Sequence, residues 1–293
     1  MVSIIVVSYN QSEYIEECLN SILHQSYTDW ELILADDFSS DNSVEVFDNW
    51  LEKNNVAAKK NYHTQNKGLC ATLNECIDLA EGDYVKFLAA DDYLHPLFFE
   101  KVVQRFSTLD DTYRLVFTNA FTVNGKSEIT DESYLKEPVP TGYVFEQLLA
   151  YNFIPALTAV MPRKIFDELG KFDTEIMVED WEYWLRIAKK YRVDCICEPL
   201  AYYRMHDSNI TRNKKKMIIA CWQILMKHAS ERKYRKIINQ FAVYNLYNKS
   251  LEGRGADFYR EYPYKSRFIL NALKLRPTRA LLKQLIKKGD WYK

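Results

Sequence analysis

Polar residues follow directly on apolar runs at three places in the first hundred residues. One of these runs, "YVKFLAADD", ends in two adjacent aspartates, whose like charges repel and are costly to desolvate unless a cation lies nearby. The three groups are Ser8-Tyr9-Asn10, Asp36-Asp37 and Asp91-Asp92. Carboxylates gathered in this way could hold a cation, and polar groups that converge on one side of a sheet indicate a binding cleft.

The elements between these groups indicate how they are positioned. Runs of strand length such as "SIIVVSY" and "WELILADD" alternate with segments that carry apolar residues at helical spacing, up to about residue 120. Repeated βαβ units predict an α/β fold with a mostly parallel sheet flanked by helices, and the pattern changes to α+β after about residue 125. The carboxyl ends of parallel strands face one crevice, so a binding cleft is expected there.

Composition limits the class of protein. The chain has 293 residues, 47% of them hydrophobic and 27% charged, which is typical of a globular protein with a large core. No apolar run approaches the roughly 18 residues of a membrane span, and "MVSIIVVSYN" has no basic leader, so we expect no signal peptide. Six cysteines without a C-x-x-C pair predict reduced, mostly buried thiols and a cytoplasmic location.

The net charge of −1 hides a strong asymmetry. The chain from 211 to 293 carries 21 Lys and Arg against 5 Asp and Glu, whereas the part before it carries 18 against 35. Segments such as "FILNALKL" and "ALLKQLIKK" mix aliphatic and basic residues, which suits attachment to an anionic membrane surface. A simple solvated helical face is the alternative. We find no nucleic-acid-binding module and expect no nucleic-acid partner.

Several motifs together resemble the family 2 glycosyltransferases, which have the GT-A fold. The resemblance rests on the stretch from "SIIVVSYN" to "ADDFSSDNSVEV", on "NKGLCATLNECIDLAEGDYVKFLAADD" and on "VEDWEYWLRIAKKY", in this order, and covers residues 2 to 210. It implies a GT-A domain over 1–210, with a nucleotide-binding half (1–120) and an acceptor half (121–210). A basic helical region (211–293) then follows.

The resemblance implies a nucleotide-sugar donor, with a UDP-sugar favoured. Tyr9 matches the position whose ring lies against the base, and Asp37 matches the carboxylate that hydrogen-bonds the base. The further donor contacts that we expect are Ser8, Asn10, Lys67 and Asp91, and Arg204, which lies close to His206 in the sequence, is expected to help clamp the diphosphate.

A divalent cation, Mg²⁺ or Mn²⁺, is also implied. Asp91 and Asp92 match the acidic motif of the family, and His206 matches a position from which a histidine reaches the metal or the diphosphate. Such a cation neutralises the departing nucleoside diphosphate. Ala89 stands where relatives often carry a further aspartate, so we expect a working metal site with fewer donor contacts.

For the acceptor side, the resemblance points to the "ED" element. Asp180 matches the general base that takes the proton of the acceptor hydroxyl, and the start of a helix favours its ionised form. Glu179 and Trp181 are expected at the acceptor, whereas Trp184 is expected in the core.

The leading hypothesis is therefore a metal-dependent, inverting glycosyltransferase. It would act on a glycan or lipid-linked acceptor in surface polysaccharide biosynthesis, on the inner face of the plasma membrane. The alternative is a degenerate transferase that serves as a sugar- or nucleotide-binding assembly module. A sugar-phosphate nucleotidyltransferase would want a glycine-rich loop after the first strand, and "SYNQSEY" has no glycine.

Overall fold

A computed structural model describes residues 1–206, 214–229 and 232–234 of the chain. The chain divides into two compact units, one formed by 1–148 with 152–212, the other by 149–151 with 213–293. Most of the predicted basic region, and with it the membrane-surface prediction, lies outside the described residues. Within that region the structure describes one helix, Lys214–His228, and a short 3-10 turn, Arg232–Tyr234.

The first half of the larger unit alternates strands and helices, as predicted. In chain order these are β1 (Val2–Ser8), α1 (Ile15–Leu23), β2 (Trp30–Asp36), α2 (Ser43–Asn54), β3 (Ala58–Tyr62), α3 (Leu69–Leu79) and β4 (Tyr84–Ala89). Every residue of β1 is buried, which is the expected result for a continuous apolar run in a sheet covered on both faces. Helix α1 turns Ile15, Cys18, Leu19 and Ile22 into the core.

The second half of this unit is less regular. It contains β5 (Tyr93–Leu94), α4 (Phe98–Thr108), β6 (Tyr113–Asn124), β7 (Ile129–Asp131), α5 (Phe145–Ala150), β8 (Val160–Pro162), α6 (Ile165–Leu169), α7 (Glu179–Ala188) and β9 (Arg192–Met205). The long strands and helices coincide with predicted segments. The short strands β5, β7 and β8 were not predicted. Strands β5 and β8 pair with strands far away in the sequence, and β7 is only three residues long.

The nine strands within the described residues form one sheet in the order β3-β2-β1-β4-β8-β6-β9-β5, with β7 paired to β6. The first four strands are parallel, and β6 pairs in parallel with β9, whereas β8 runs antiparallel between β4 and β6. The α/β fold prediction is confirmed, with a parallel half joined to a mixed half.

Two predictions from composition can be compared with the structure. No helix among the described residues is long and apolar enough to cross a membrane. No disulfide links the six cysteines, all of which lie within the described residues. Cys18, Cys70 and Cys76 are buried, whereas Cys195 and Cys221 are partly exposed and Cys197 is exposed, so half of the thiols rather than most are buried.

Candidate active site

The sheet register brings the three polar groups to one edge. Ser8 pairs with Asp36 and Val7 pairs with Ala89, so β1, β2 and β4 end side by side. Beyond these pairs the strands remain joined, since the Asp37 amide donates to the Ser8 carbonyl at 3.1 Å and the Ala90 amide donates to the Val7 carbonyl at 3.0 Å. The predicted cleft edge is therefore built from residues that immediately follow paired strands.

The loops after β1 and β2 are fastened to each other. The Asn10 amide donates to Ser39 Oγ at 2.8 Å, and the Ser40 amide donates to Asn10 Oδ1 at 2.7 Å. Between the strand end and this pair of contacts, Tyr9 is 53% exposed. Ser8 is fully buried, and its hydroxyl has no hydrogen-bond partner within the part of the chain that the structure describes.

Asp37 is buried and its carboxylate binds the loop that precedes α3. Oδ1 accepts from the Lys67 amide and Oδ2 from the Gly68 amide, each at 2.8 Å. The Asn66 side chain donates to the Asp37 carbonyl at 3.0 Å. In this structure Asp37 therefore positions the loop of residues 66–68, and its contact with a nucleobase stays a prediction.

His63 is a member of this cluster that the sequence reasoning missed. Its buried ring lies between two carboxylates, with Nδ1 at 2.8 Å from Asp37 Oδ1 and Nε2 at 2.7 Å from Glu75 Oε2. Glu75 also receives the Lys67 ammonium at 2.7 Å, and Lys67 and His63 together lower the pKa of Glu75 to about 2. The Lys67 ammonium, which was predicted to contact the sugar donor, is therefore paired with Glu75.

Beyond β4, the first aspartate of the acidic pair meets the predicted histidine. Asp91 Oδ2 lies 2.8 Å from His206 Nε2, although 115 residues separate them in the sequence. The imidazole ring of His206 stacks on Tyr14, with ring centroids 5.3 Å apart. Burial, together with Glu13, raises the pKa of Tyr14 to about 12, so its ring carries no charge at neutral pH.

The second aspartate faces a different environment. Asp92 Oδ1 accepts from the Arg204 amide at 2.9 Å, and burial followed by the charge of Asp91 raises the Asp92 pKa well above its usual value. The joint binding of a metal by Asp91 and Asp92 stays a prediction. Asp92 holds strand β9 in place, whereas Asp91 points to His206.

Arg204 was predicted to clamp the diphosphate, and the structure contradicts this. The side chain is 1% exposed. Its Nε donates to the Asp91 carbonyl at 2.7 Å, its Nη2 forms an ion pair with Glu17, and its guanidinium lies 4.5 Å from the Tyr14 ring centroid. A guanidinium enclosed in this way cannot reach a ligand phosphate. It positions Asp91 and Tyr14 instead.

The fit of a divalent cation can be tested on these donors. The described residues contain no group of three or more His, Cys, Asp or Glu side chains that could hold a metal. Asp91 and His206 offer one carboxylate and one imidazole in contact. A hard cation such as Mg²⁺ or Mn²⁺ is commonly bound by one or two protein carboxylates together with substrate phosphates. The residues fit a cation that arrives with a diphosphate.

A buried lysine lies beneath the acidic motif and was also missed. Lys86 on β4 is fully buried, and its ammonium donates to the Phe87 carbonyl at 2.7 Å and to the Leu157 carbonyl, beside the Phe98 ring. Burial lowers the pKa of Lys86 to about 7, while the charge of Asp92 acts in the opposite direction. An internal lysine of this kind is costly and is kept only where the surroundings offset its charge.

The acidic pair Glu179-Asp180 begins helix α7, as expected. Asp180 Oδ1 accepts from the Trp181 amide at 2.6 Å and Oδ2 accepts from Asn152 Nδ2 at 3.0 Å. Burial raises the pKa of Asp180, and these two hydrogen bonds partly oppose the shift. Burial and the neighbouring Asp180 raise the pKa of Glu179 to about 8. One of the two carboxylates is therefore protonated near neutral pH.

Trp181 was expected to offer its ring to an acceptor, and this is wrong. The side chain is 3% exposed, and its indole N–H donates to the Leu148 carbonyl at 2.7 Å. Both Trp181 and Trp184 on α7 face inward and pack into the core, which was predicted for Trp184 alone.

Ala89 is exposed at the end of β4, where a larger side chain would have room.

Comparison with known proteins identifies a family that this chain matches. Residues 3–170 match the family described as "Glycosyl transferase family 2". Among curated relatives, the Escherichia coli UDP-Glc:alpha-D-GlcNAc-diphosphoundecaprenol beta-1,3-glucosyltransferase WfgD is 29% identical over 228 residues, which cover 77% of this chain and 85% of WfgD.

Two solved structures share the fold at low sequence identity. The mannosyltransferase PcManGT from Pyrobaculum calidifontis, solved with GDP-Man and Mn²⁺, has a TM-score of 0.63 at 17% identity and covers 97% of this chain and 84% of its own. S. aureus TarS 1–349, solved with UDP-GlcNAc, has a TM-score of 0.59 at 19% identity and covers 82% and 71%. These likenesses confirm the GT-A-like architecture.

Proposed function

The chain belongs to glycosyl transferase family 2 and is a sugar-transferring enzyme, and from that premise we propose a specific reaction. The enzyme transfers a sugar, with inversion, from a UDP-sugar to a hydroxyl of a glycan or lipid-linked acceptor in surface polysaccharide biosynthesis. WfgD, which is named for a UDP-glucose donor and a diphosphoundecaprenol-linked acceptor, supports this class of substrates. Action at the inner face of the plasma membrane is part of the proposal.

One observation carries the proposal: the contact between Asp91 and His206 at the strand edge. A carboxylate and an imidazole held together, with a diphosphate as the third partner, suit a divalent cation. Such a cation, when bound, supplies charge neutralisation to the departing nucleoside diphosphate. Metal use is further supported by the Mn²⁺ named with PcManGT.

The chain's own residues have separate roles in the proposed reaction. Tyr9, exposed at the end of β1, offers its ring to the nucleobase. Asp180 takes the proton of the acceptor hydroxyl at its carboxylate, which Asn152 and the Trp181 amide orient. Burial and the charge of Asp180 raise the pKa of Glu179 to about 8, so Glu179 can donate a hydrogen bond to the acceptor without adding a second negative charge.

The experiment is a panel of nucleotide sugars incubated with the full chain in Mn²⁺ or Mg²⁺, with release of nucleoside diphosphate as the readout. We expect turnover of a UDP-sugar that EDTA abolishes and added metal restores. Nucleotide binding without turnover, across a panel that includes lipid-linked acceptors, would support the assembly-module alternative. Binding of no nucleoside diphosphate at all would contradict the proposal.

A further inference from the structure

An exposed phenylalanine sits in a strained backbone conformation beside the predicted nucleobase site. Phe38 follows Asp37 directly, has φ +68° and is 53% exposed. Left-handed backbone favours glycine or asparagine, and a bulky residue there is an outlier that the surrounding structure must hold in place. Because 53% of Phe38 is exposed, packing offsets only part of the cost of this backbone conformation.

The strain is maintained by contacts on both sides of the residue. Asp37 before it is fixed by the Ser8 carbonyl and by the amides of Lys67 and Gly68. Ser39 after it donates its amide to Asp36 Oδ1 at 2.8 Å and its hydroxyl to Asp36 Oδ2 at 2.5 Å. The backbone at Phe38 is therefore held from both ends, and its ring is presented outward.

The second exposed ring of this edge is Tyr9. Strands β1 and β2 run in parallel register up to Ser8 and Asp36, so Tyr9 and Phe38 follow adjacent strand ends. The two loops are fastened by the contacts of Asn10 with Ser39 and Ser40. Asn10 has a left-handed φ of +55° as well. Two connected loops thus hold two exposed rings at the edge where the donor is proposed to bind.

We propose that Phe38 is a donor-binding residue that supplies a second aromatic surface, beside Tyr9, for the base of a nucleoside diphosphate. The inference rests on the proposed function, since it assumes that the nucleotide binds at this edge. Bases stack on aromatic side chains with little dependence on sequence, because every base has a π-face. Phe38 therefore contributes affinity for the nucleoside and none for the diphosphate.

The test measures UDP binding in Mn²⁺ by calorimetry for Phe38→Gly, Phe38→Ala and Phe38→Tyr in the full chain. Loss of one stacked ring weakens binding by about tenfold or more, so we expect this increase in Kd for the Gly and Ala variants. Phe38→Tyr should bind UDP as the unaltered chain does. Binding of inorganic pyrophosphate with Mn²⁺ should be equal in all four proteins.

Stability separates a ligand-binding role from a structural one. Glycine adopts the left-handed region freely, so Phe38→Gly should raise Tm by about 2–4 °C while it weakens UDP binding. Asn55→Gly is the matched control, because Asn55 is also left-handed, with φ +51°, but ends helix α2. It should leave UDP binding unchanged.

Three outcomes would contradict the inference. If Phe38→Gly lowers Tm, or weakens pyrophosphate binding as much as UDP binding, the ring has a structural role. If UDP binds the unaltered chain and Phe38→Gly equally well, the inference fails while the proposed function stands. If the unaltered chain binds neither UDP nor GDP, the inference and the proposed function fail together.

Discussion

Two pairs of adjacent acidic residues occupy the candidate site, and their surroundings differ in kind. Cationic or potentially cationic groups lie around Asp91 and Asp92: His206 contacts the Asp91 carboxylate, the Arg204 guanidinium donates to the Asp91 carbonyl, and the charges of Lys86 and Arg204 act on Asp92. Glu179 and Asp180 are held by neutral donors, an amide side chain and a backbone N–H. The surroundings of the first pair suit the proposed cation at Asp91, and those of the second pair suit the exchange of a proton.

The largest expected effect tests the second pair. Asp180→Asn keeps the shape of the side chain but removes the proton acceptor, so kcat should fall by about 100- to 10,000-fold. The Kd for UDP with Mn²⁺ should stay within about twofold, since Asp180 belongs to the acceptor side. Loss of UDP binding in this variant would instead assign Asp180 to the donor site. Single-turnover kinetics and calorimetry on the same preparation give both quantities.

The next effect tests the first pair. Arg204→Met removes a buried guanidinium and leaves its acceptors without a donor, so the free energy of unfolding should fall by about 3 kcal/mol. This is the lower end of the usual range because Glu17 is partly exposed and can be rehydrated. Lys101→Met, which breaks the exposed pair with Glu198, is the control and should cost under about 1 kcal/mol. Urea denaturation measures both, and equal losses would contradict the buried role.

A smaller effect concerns pH dependence at the second pair. Transfer needs Asp180 ionised, so kcat should fall as pH drops through its raised pKa. Glu179, with a pKa raised to about 8, is protonated and uncharged in this range, so Glu179→Gln should leave the acidic limb of the kcat profile in place. Glu175→Gln, on an exposed residue, should also leave the profile in place. A limb that moves to lower pH in Glu179→Gln would show that Glu179 is charged when Asp180 titrates.

The smallest effect concerns Lys86. Its pKa in the folded state, about 7, lies below the unfolded value near 10.5, so the unfolded chain binds more protons between these values. Stability contributed at this site should therefore rise with pH across the window from 7 to 10.5, by at most about 1.4 kcal/mol per pH unit. Lys86→Met should lack this rise, whereas exposed Lys53→Met should keep it. Urea denaturation between pH 7 and 9 measures the difference.

The sequence predicted the elements that depend on local pattern. Continuous burial along β1 and the inward face of α1 follow from apolar spacing, which is visible in one chain. It did not predict which way long amphipathic side chains turn. Arg204 and Trp181 were both predicted to contact a ligand because they are polar or aromatic and flank a motif. In the structure, residues far away in the sequence enclose both side chains.

Three residues near the site were not predicted from the sequence, for a related reason. His63 and Lys86 are ordinary residues of their segments, and only the fold places one between Asp37 and Glu75 and the other under the acidic motif. Phe38 is unusual through its backbone angle, which no composition reveals. The outward ring of Tyr9 was predictable because the residue follows a fully buried strand end.

The ion pair between Glu17 and Arg204 joins residues 187 positions apart. With the contact of His206 and Asp91, it means that the part of the site proposed to bind a cation cannot form until nearly the whole larger unit has folded. Contacts of such long range close large loops and form late, because the chain loses entropy on closing the loop before the new contacts can offset that loss. A chain that stops before residue 204 would keep its parallel strands yet lack this part of the site. Competence for catalysis is thus acquired at the end of folding rather than with the first strands.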